Sequence, residues 1–239
     1  MTFAIRLRAV LGPAVCVVLL AAGCGSGSSG SSAPVGNGES AKTAPEILSD
    51  VQAAVSRTQD VHMYGSVPHG PGSSIQLNLH MRHGSGAGTM VMDSNPVRLI
   101  RIGNAVYMKA GPKFWQNYGS NPAVIQLLQN RWFKFPATDA RYAGMAKLLD
   151  EGWLIQAVLK PSHGVAKVGT RMFHGQQVVV LRDTGDQAGG ELYVATTGAP
   201  YPVALIDPAK HAVLRFDSWN QTFPLSAPAG AVDISQFSG

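Results

Sequence analysis

The chain has little of what catalysis or nucleic-acid binding requires. Its 239 residues include two cysteines and 14% charged residues, with no run of five or more basic side chains. We therefore expect no nucleic-acid partner. It contains no Gly-x-Ser-x-Gly, His-Glu-x-x-His or calcium-loop motif, and its 14 acidic residues form no convincing catalytic carboxylate pair. Ser85, between Gly84 and Gly86, has the wrong spacing for a hydrolase nucleophile and is assigned to a turn. We predict that the protein is not an enzyme, that it has no catalytic residue, and that it binds no metal and no cofactor.

Long hydrophobic runs are also absent. The longest apolar segment, Ala9–Ala22, follows a basic segment, Met1–Arg8, and is too short to span a bilayer comfortably. This pattern is typical of a signal peptide, which we assign to residues 1–23. An uncleaved membrane anchor is the alternative, and it leaves the protein on the same outer side. Loss of Arg6 and Arg8 lowers the net charge from +5 to +3, with 17 basic and 14 acidic residues.

The pentapeptide Leu20-Ala21-Ala22-Gly23-Cys24 resembles the lipobox of bacterial lipoproteins. The resemblance implies that Cys24 is acylated, with chains such as palmitate, and becomes the membrane anchor. Two acyl chains suffice for stable anchoring. Cys16 would leave with the signal peptide, so the body would have no disulfide. We expect a protein held on the extracytoplasmic side of the cell membrane.

Residues 24–42 are predicted to form the lipidated cysteine and a flexible linker, since Gly25–Gly38 is almost wholly Gly, Ser, Ala and Pro. The Gly-x-Gly-x-x-Gly spacing at Gly25–Gly30 has no strand before it, so a dinucleotide site is rejected. Residues 43–239 are assigned to one domain.

The domain begins with a predicted helix. Thr43-Ala44-Pro45-Glu46 has the pattern of a capping box, and apolar residues then recur at helical spacing to about Thr58. Alternation predicts the strand Ser74–Arg82. Four more segments have strand-like patterns: Val61–Val67, Thr89–Asp93, Val97–Ile102 and Ala105–Lys109. The glycine-rich segment Gly84–Gly88 and Gly103-Asn104 are assigned to turns.

The pattern changes between Pro112 and Pro161. Helices are predicted over Pro122–Gln129, Thr138–Leu149 and Gly152–Leu159, in a block rich in aromatic residues: Trp115, Trp132, Phe133, Phe135 and Trp153. Strands then resume at Val165–Met172, Gln176–Arg182, Glu191–Ala195, Val203–Ile206 and Val213–Trp219, with a last edge near Leu225. We predict an α+β fold: a single curled antiparallel sheet of about ten strands, a half-barrel whose concave face is covered by helices.

Several local sequences resemble the LolA-like lipoproteins of the actinobacterial LppX/LprG type. They are Asn104–Lys109 with Trp115, the run from Glu191–Val194 through Gly198–Val203, and Phe216–Trp219 to Pro224. The resemblance covers residues 44–236. It implies a half-barrel with an apolar cavity that carries a lipid or glycolipid in the envelope.

The predicted cavity lining is apolar and rich in methionine, whose side chain adapts to irregular ligands. It consists of Ile75, Leu77, Leu79, Met81, Met90, Met92, Met108, Leu192 and Val194. Alternation indicates burial only, so an ordinary filled core is equally compatible with these residues. The preferred hypothesis is lipid or acyl binding, for carriage or sensing.

Two alternatives stay open at this point. One is a tethered interaction module that binds another envelope protein and has no ligand. The other is a copper-binding lipoprotein, in which His62-Met63, His80–His83, Met90 and Met92 supply imidazole and thioether ligands. On a strand, however, His80 points away from Met81, and His83 falls in a turn.

Overall fold

The computed structural model describes residues 35–70, 72–117, 121–152, 159, 164–185 and 189–234. All of them belong to one compact unit, residues 34–239. A single sheet of twelve strands dominates this unit. Its strands are β1 (Asp60–Pro68), β2 (Ser74–Arg82), β3 (Ser85–Met92), β4 (Asn95–Ile102), β5 (Ala105–Ala110), β6 (Phe133–Pro136), β7 (Val165–Phe173), β8 (Gln176–Asp183), β9 (Glu191–Ala195), β10 (Pro202–Asp207), β11 (Ala212–Asp217) and β12 (Val232–Asp233).

The sheet consists of two meanders that lie side by side. Strands β1 to β6 form the first meander, and strands β7 to β11 form the second. Its strand order is β12-β6-β5-β4-β3-β2-β1-β11-β10-β9-β8-β7. Strands β1 and β11 join the two halves, with Met63 opposite Phe216. Every pairing is antiparallel except that of β12 with β6. The curled antiparallel sheet is therefore confirmed, with twelve strands instead of about ten.

Alternation along the strands separates two faces. In β2, Leu77, Leu79 and Met81 are buried, while Gln76 and Asn78, which alternate with them, are exposed. We call the face that carries Leu79 the inner face and the face that carries Asn78 the outer face. A glycine at position 65 interrupts β1 on the inner face, with φ +147°; a Cβ there would overlap the carbonyl oxygen of Val213 on β11.

Helices cover the inner face. They are α1 (Ala44–Val55), α2 (Pro112–Asn117), α3 (Pro122–Leu128) and α4 (Ala143–Leu148). The predicted start of α1 is confirmed: the Thr43 backbone N–H and hydroxyl both donate to the Glu46 carboxylate, at 2.8 and 2.6 Å. Ile47, Val51 and Val55 of α1 are buried against β8 and β9. The amphipathic helix predicted from the sequence thus closes the second half of the sheet.

The helical block between the two meanders was only partly predicted. Pro122–Gln129 is confirmed as α3, and α4 is shorter than predicted. Phe133 and Phe135 were wrongly assigned to a helical insert, since they lie in β6 and pair with Met108 and Val106 of β5. Their alternation with Lys134 is the strand signal that was missed. The predicted helix Gly152–Leu159 lies almost wholly outside the described residues.

Three further boundaries differ from the sequence predictions. Ser85–Gly88 is not a turn but the start of β3, with Gly86 opposite Met81. No strand lies near Leu225 in the described chain; the last strand is β12. Within the predicted linker, Asn37 donates to the carbonyl oxygens of Ala195 and Gly198, at 3.0 and 3.1 Å, so residues 36–42 contact the folded unit.

Candidate functional site

The inner face of the first meander is almost entirely apolar. Along β1 to β5 its only charged residue is Arg101, and five of the chain's eight methionines lie there. These are Met63, Met81, Met90, Met92 and Met108. Methionine has three flexible torsions and a polarisable sulfur, so a face built from it can repack around different apolar shapes. The composition suits contact with hydrocarbon.

Aromatic side chains from the helices and β6 pack on this face. The Trp115 ring lies 5.1 Å from that of Phe114 and 5.0 Å from that of Phe133, both nearly edge to face. Phe135 contacts Tyr142, at the start of α4, with ring centroids 4.5 Å apart. Burial raises the pKa of Tyr142 above its usual value. In this structure the helices, and not solvent, occupy the space over the first meander.

One polar atom in this site has no partner. Trp115 is 2% exposed, and its indole Nε1–H makes no hydrogen bond within the described part of the chain. A buried donor left unsatisfied costs about 1–3 kcal/mol. An oxygen atom of a bound molecule would remove this cost. The site therefore offers one directional contact in otherwise apolar surroundings.

Arg101 fastens α4 to the sheet. Its Nη1 donates to the carbonyl oxygen of Ala146 at 3.0 Å and to the Asp150 carboxylate at 2.9 Å. Opposite Arg101 on β3 lies Gly86, where a Cβ would come within 3.3 Å of the Leu149 carbonyl oxygen. The chain just after α4 can lie this close to β3 because position 86 has no side chain. The hydrogen bonds of Arg101 therefore hold α4 against the apolar inner face of the sheet.

The inner face is less completely covered at one end. Val67, Ile75 and Met92 face one another across β1, β2 and β3 and are only partly buried. The partly buried Ile125 of α3 also packs on the apolar cluster. We call Val67, Ile75, Met92 and Ile125 the rim. The rim is where apolar side chains of this site meet solvent.

The nine predicted cavity residues all lie on the inner face, but they belong to two clusters. Seven lie in the first meander: Ile75, Leu77, Leu79, Met81, Met90, Met92 and Met108. Leu192 and Val194 lie under α1 instead. The clusters meet at Leu205 and Trp219, which contact both. That these residues contact a ligand stays a prediction. Sequence reasoning missed Trp115 as a donor, Arg101, and the α3 side of the rim.

Two of the histidines singled out as copper ligands, His62 and His80, are on the outer face, and His83 lies in the turn after β2. The rings of His62 and His80 are stacked 4.2 Å apart, and His62 Nδ1 lies 2.7 Å from Asp217 Oδ1. Burial, and secondarily the neighbouring His62, lower the pKa of His80. Met63 and Met81 are buried on the inner face, so the sheet separates the imidazoles from the thioethers. A mixed copper site is not assembled. No group of three or more His, Cys, Asp or Glu able to hold a metal occurs among the described residues.

The architecture is one curled, almost wholly antiparallel sheet with helices on one face, which is the arrangement expected from the sequence. No family model matches the chain, and no curated protein matches it in sequence. Among solved structures it is similar to LprF from Mycobacterium bovis, at 14% identity and a TM-score of 0.55, covering 79% of this chain and 99% of LprF. The lipoprotein LppX from Mycobacterium tuberculosis matches at 13% identity and a TM-score of 0.48, covering 77% of this chain and all of LppX. A LolA superfamily protein from Nitrosomonas europaea matches at 10% identity and a TM-score of 0.27, covering 77% and 96%.

The comparison with LprF confirms, for the fold alone, the resemblance to the LppX/LprG type. Within the described residues, no helix has the length and hydrophobicity needed to cross a membrane.

Proposed function

We propose that this protein is a membrane-anchored envelope lipoprotein that binds the acyl chain of a lipid on the inner face of its sheet. The observation that carries the proposal is the methionine-rich inner face, which is covered by helices and against which α4 is held by the hydrogen bonds of Arg101. Acylation of Cys24 would hold the domain beside the membrane that supplies the ligand. The lipobox supports this anchor.

The ligand would reach the inner face when α4 moves away from the sheet, and it would displace the side chains of α2 to α4 from that face. Each buried methylene contributes about 0.8 kcal/mol, so a long acyl chain can offset the loss of the helix contacts without any charged partner. The Trp115 N–H would donate to an ester or carboxyl oxygen of the lipid. Binding therefore needs no catalytic group, in agreement with the absence of catalytic motifs in the sequence.

Photolabelling tests this proposal. The full chain, in a non-ionic detergent, is incubated with a fatty acid that carries a diazirine near its methyl end, irradiated, digested and analysed by mass spectrometry. We expect adducts on β2, β4 and β5 at inner-face positions such as Leu79, Leu99 and Met108, which excess unlabelled fatty acid prevents.

Two variants sharpen the test. Met108→Lys places a charge on the inner face and should abolish these adducts, whereas Lys109→Met, on the outer face of the same strand, should leave them unchanged. Labels confined to outer-face residues, or none at all, would contradict acyl binding. A stoichiometric protein partner crosslinked in cells, with no label, would favour the interaction-module alternative.

A further inference from the structure

A row of polar side chains crosses the outer face, at right angles to the strands. Successive pairings place Arg215 opposite Tyr64, Tyr64 opposite Asn78, Asn78 opposite Thr89, Thr89 opposite Arg98 and Arg98 opposite Lys109. We call these six residues the outer row. Neighbouring strands are about 4.8 Å apart, so the row is about 24 Å long. It offers hydroxyl, amide and cationic groups at a regular spacing.

The three cations of the outer row have no acidic partner among the described residues. Arg215 Nε is buried without a hydrogen bond, and its guanidinium lies 5.9 Å from the centre of the Phe173 ring. Carboxylates nearby are already engaged. Asp217, two residues further along β11, pairs with His62, and Glu191 pairs with Arg182 at 2.6 Å. The row therefore carries an excess of positive charge that an anion would offset.

A groove of about 520 Å³ lies over the first four residues of the row. Tyr64, Asn78, Thr89 and Arg215 line it, together with Ser66 and Gln76. Asn78 contacts His62 Nε2 through its Oδ1 at 3.1 Å, which leaves its amide group as a donor. Ser66, Gln76 and Thr89 make no side-chain hydrogen bond with another described residue. The groove is thus lined both with apolar side chains, those of Leu77, Val91 and Val213, and with several unused hydrogen-bonding groups.

We infer that the outer row binds an anionic saccharide, with one sugar ring in the groove and further units extending toward Arg98 and Lys109. Hydroxyl and amide side chains are suited to the hydroxyl groups of a sugar, and guanidinium binds carboxylate or phosphate through charge-assisted hydrogen bonds. The length of the row and the regular spacing of its polar groups suit a chain of several sugar units. A membrane surface fits less well, because membrane docking uses exposed apolar side chains and the row has none.

This site is separate from the proposed lipid site, since the two lie on opposite faces of the sheet. The protein could hold a saccharide of the envelope without opening the helices that cover the inner face. Binding at the outer row therefore neither requires nor prevents acyl binding.

Calorimetric titration with tetragalacturonate, a tetrasaccharide with four carboxylates, tests the inference. The full chain is used in a non-ionic detergent whose headgroup contains no sugar. We expect binding that weakens as salt is added, because the charges are screened. Arg215→Gln should weaken it about tenfold, the loss expected for one hydrogen bond to a charged group.

Arg98→Gln provides a second variant, since this side chain is exposed and its replacement does not threaten folding. It should also weaken binding several-fold. Arg57→Gln, an equally exposed arginine beyond the end of α1, is the matched control and should bind as the unaltered chain does. A neutral tetrasaccharide should bind much more weakly.

Three outcomes would overturn the inference. They are no binding of tetragalacturonate, equal binding of the neutral sugar, and unchanged affinity in both Arg215→Gln and Arg98→Gln. Binding only to phosphatidylglycerol vesicles, lost in the same two variants, would assign the row to membrane contact and also overturn the saccharide proposal. None of these results bears on the photolabelling of the inner face.

Discussion

Replacing Arg101 with glutamine should loosen the cover formed by α4. Arg101 is 16% exposed, and its Nη1 makes two charge-assisted hydrogen bonds, to Ala146 and Asp150. Such a bond contributes about 1.5–3 kcal/mol when buried, and partial exposure of Asp150 lowers the value. We take about 2 kcal/mol for the loss. If α4 opens separately from the sheet, its open population should then rise about 30-fold.

Hydrogen exchange and stopped-flow binding measure the two sides of this prediction. Amides of α4 should lose protection by about 30-fold in Arg101→Gln. The association rate of a fluorescent fatty acid should rise by a similar factor, because access to the inner face depends on the open population. Both measurements follow from the same two hydrogen bonds.

Arg98→Gln is the control for this experiment. Arg98 lies on the same strand but on the outer face, where it is exposed. It should alter neither α4 protection nor fatty-acid association. Faster exchange in α4 with an unchanged association rate would refute the role of α4 as the gate. Unchanged exchange would refute the role of Arg101 in holding α4.

Three further predictions concern stability. Ile47→Ala removes a fully buried side chain between α1 and the sheet and should lower the free energy of unfolding by about 2–5 kcal/mol in denaturant titrations, whereas Ser49→Ala on the exposed side of α1 should change it little. Gly65→Ala should lower the melting temperature, because the positive φ and the Val213 carbonyl oxygen leave no room for a Cβ; equal melting curves would refute this. Burial raises the pKa of Glu151, so its ionised form opposes folding and stability falls as pH rises from the usual glutamate value through the raised one. Glu151→Gln should therefore be more stable than the unaltered chain at pH 7 and show a flatter pH dependence in that range.

The chemistry around Glu151 supports the direction of this last effect. The Thr58 hydroxyl lies 2.7 Å from both the Val55 carbonyl oxygen and Glu151 Oε1, and its single proton can serve only one of them. A protonated Glu151, or a glutamine amide, can donate to the Thr58 hydroxyl oxygen. The Thr58 hydroxyl can then donate its own proton to the Val55 carbonyl oxygen. An ionised Glu151 cannot.

Local patterns predicted the elements whose burial alternates regularly. Strand β2 was predicted with its observed bounds because its apolar and polar residues alternate without exception. The start of α1 was predicted from the Thr43–Glu46 capping pattern. In both cases neighbouring residues carry the whole signal.

Features that depend on distant residues could not be predicted in this way. β12 has two residues and forms only because β6 offers a free edge. The outer row requires the register between β11 and β1, which no local pattern fixes. Burial at positions such as Leu79 was predictable, but the contacts of these side chains with the helices were not. Alternation shows that a side chain is buried, but it does not show which element packs against it.

The two faces of the sheet therefore present different chemistry from the same strands. In β2, Leu79 contributes to the apolar inner face while Asn78 contributes to the outer row. A substitution at one position should leave the function of the other face intact. Because the two faces are separate, substitutions on one face can be used to test its proposed ligand while binding at the other face is left unchanged.

Native mass spectrometry of the protein isolated from the cells that produce it, without added lipid, tests the central claim most directly. We predict a population with non-covalently bound lipid that is released on activation, and its persistence in Cys24→Ser, because anchor and ligand are separate. Met108→Lys should lack this lipid, whereas Lys109→Met should retain it. A single mass corresponding to the polypeptide and its covalent modification alone, in every variant, would contradict lipid binding on the inner face.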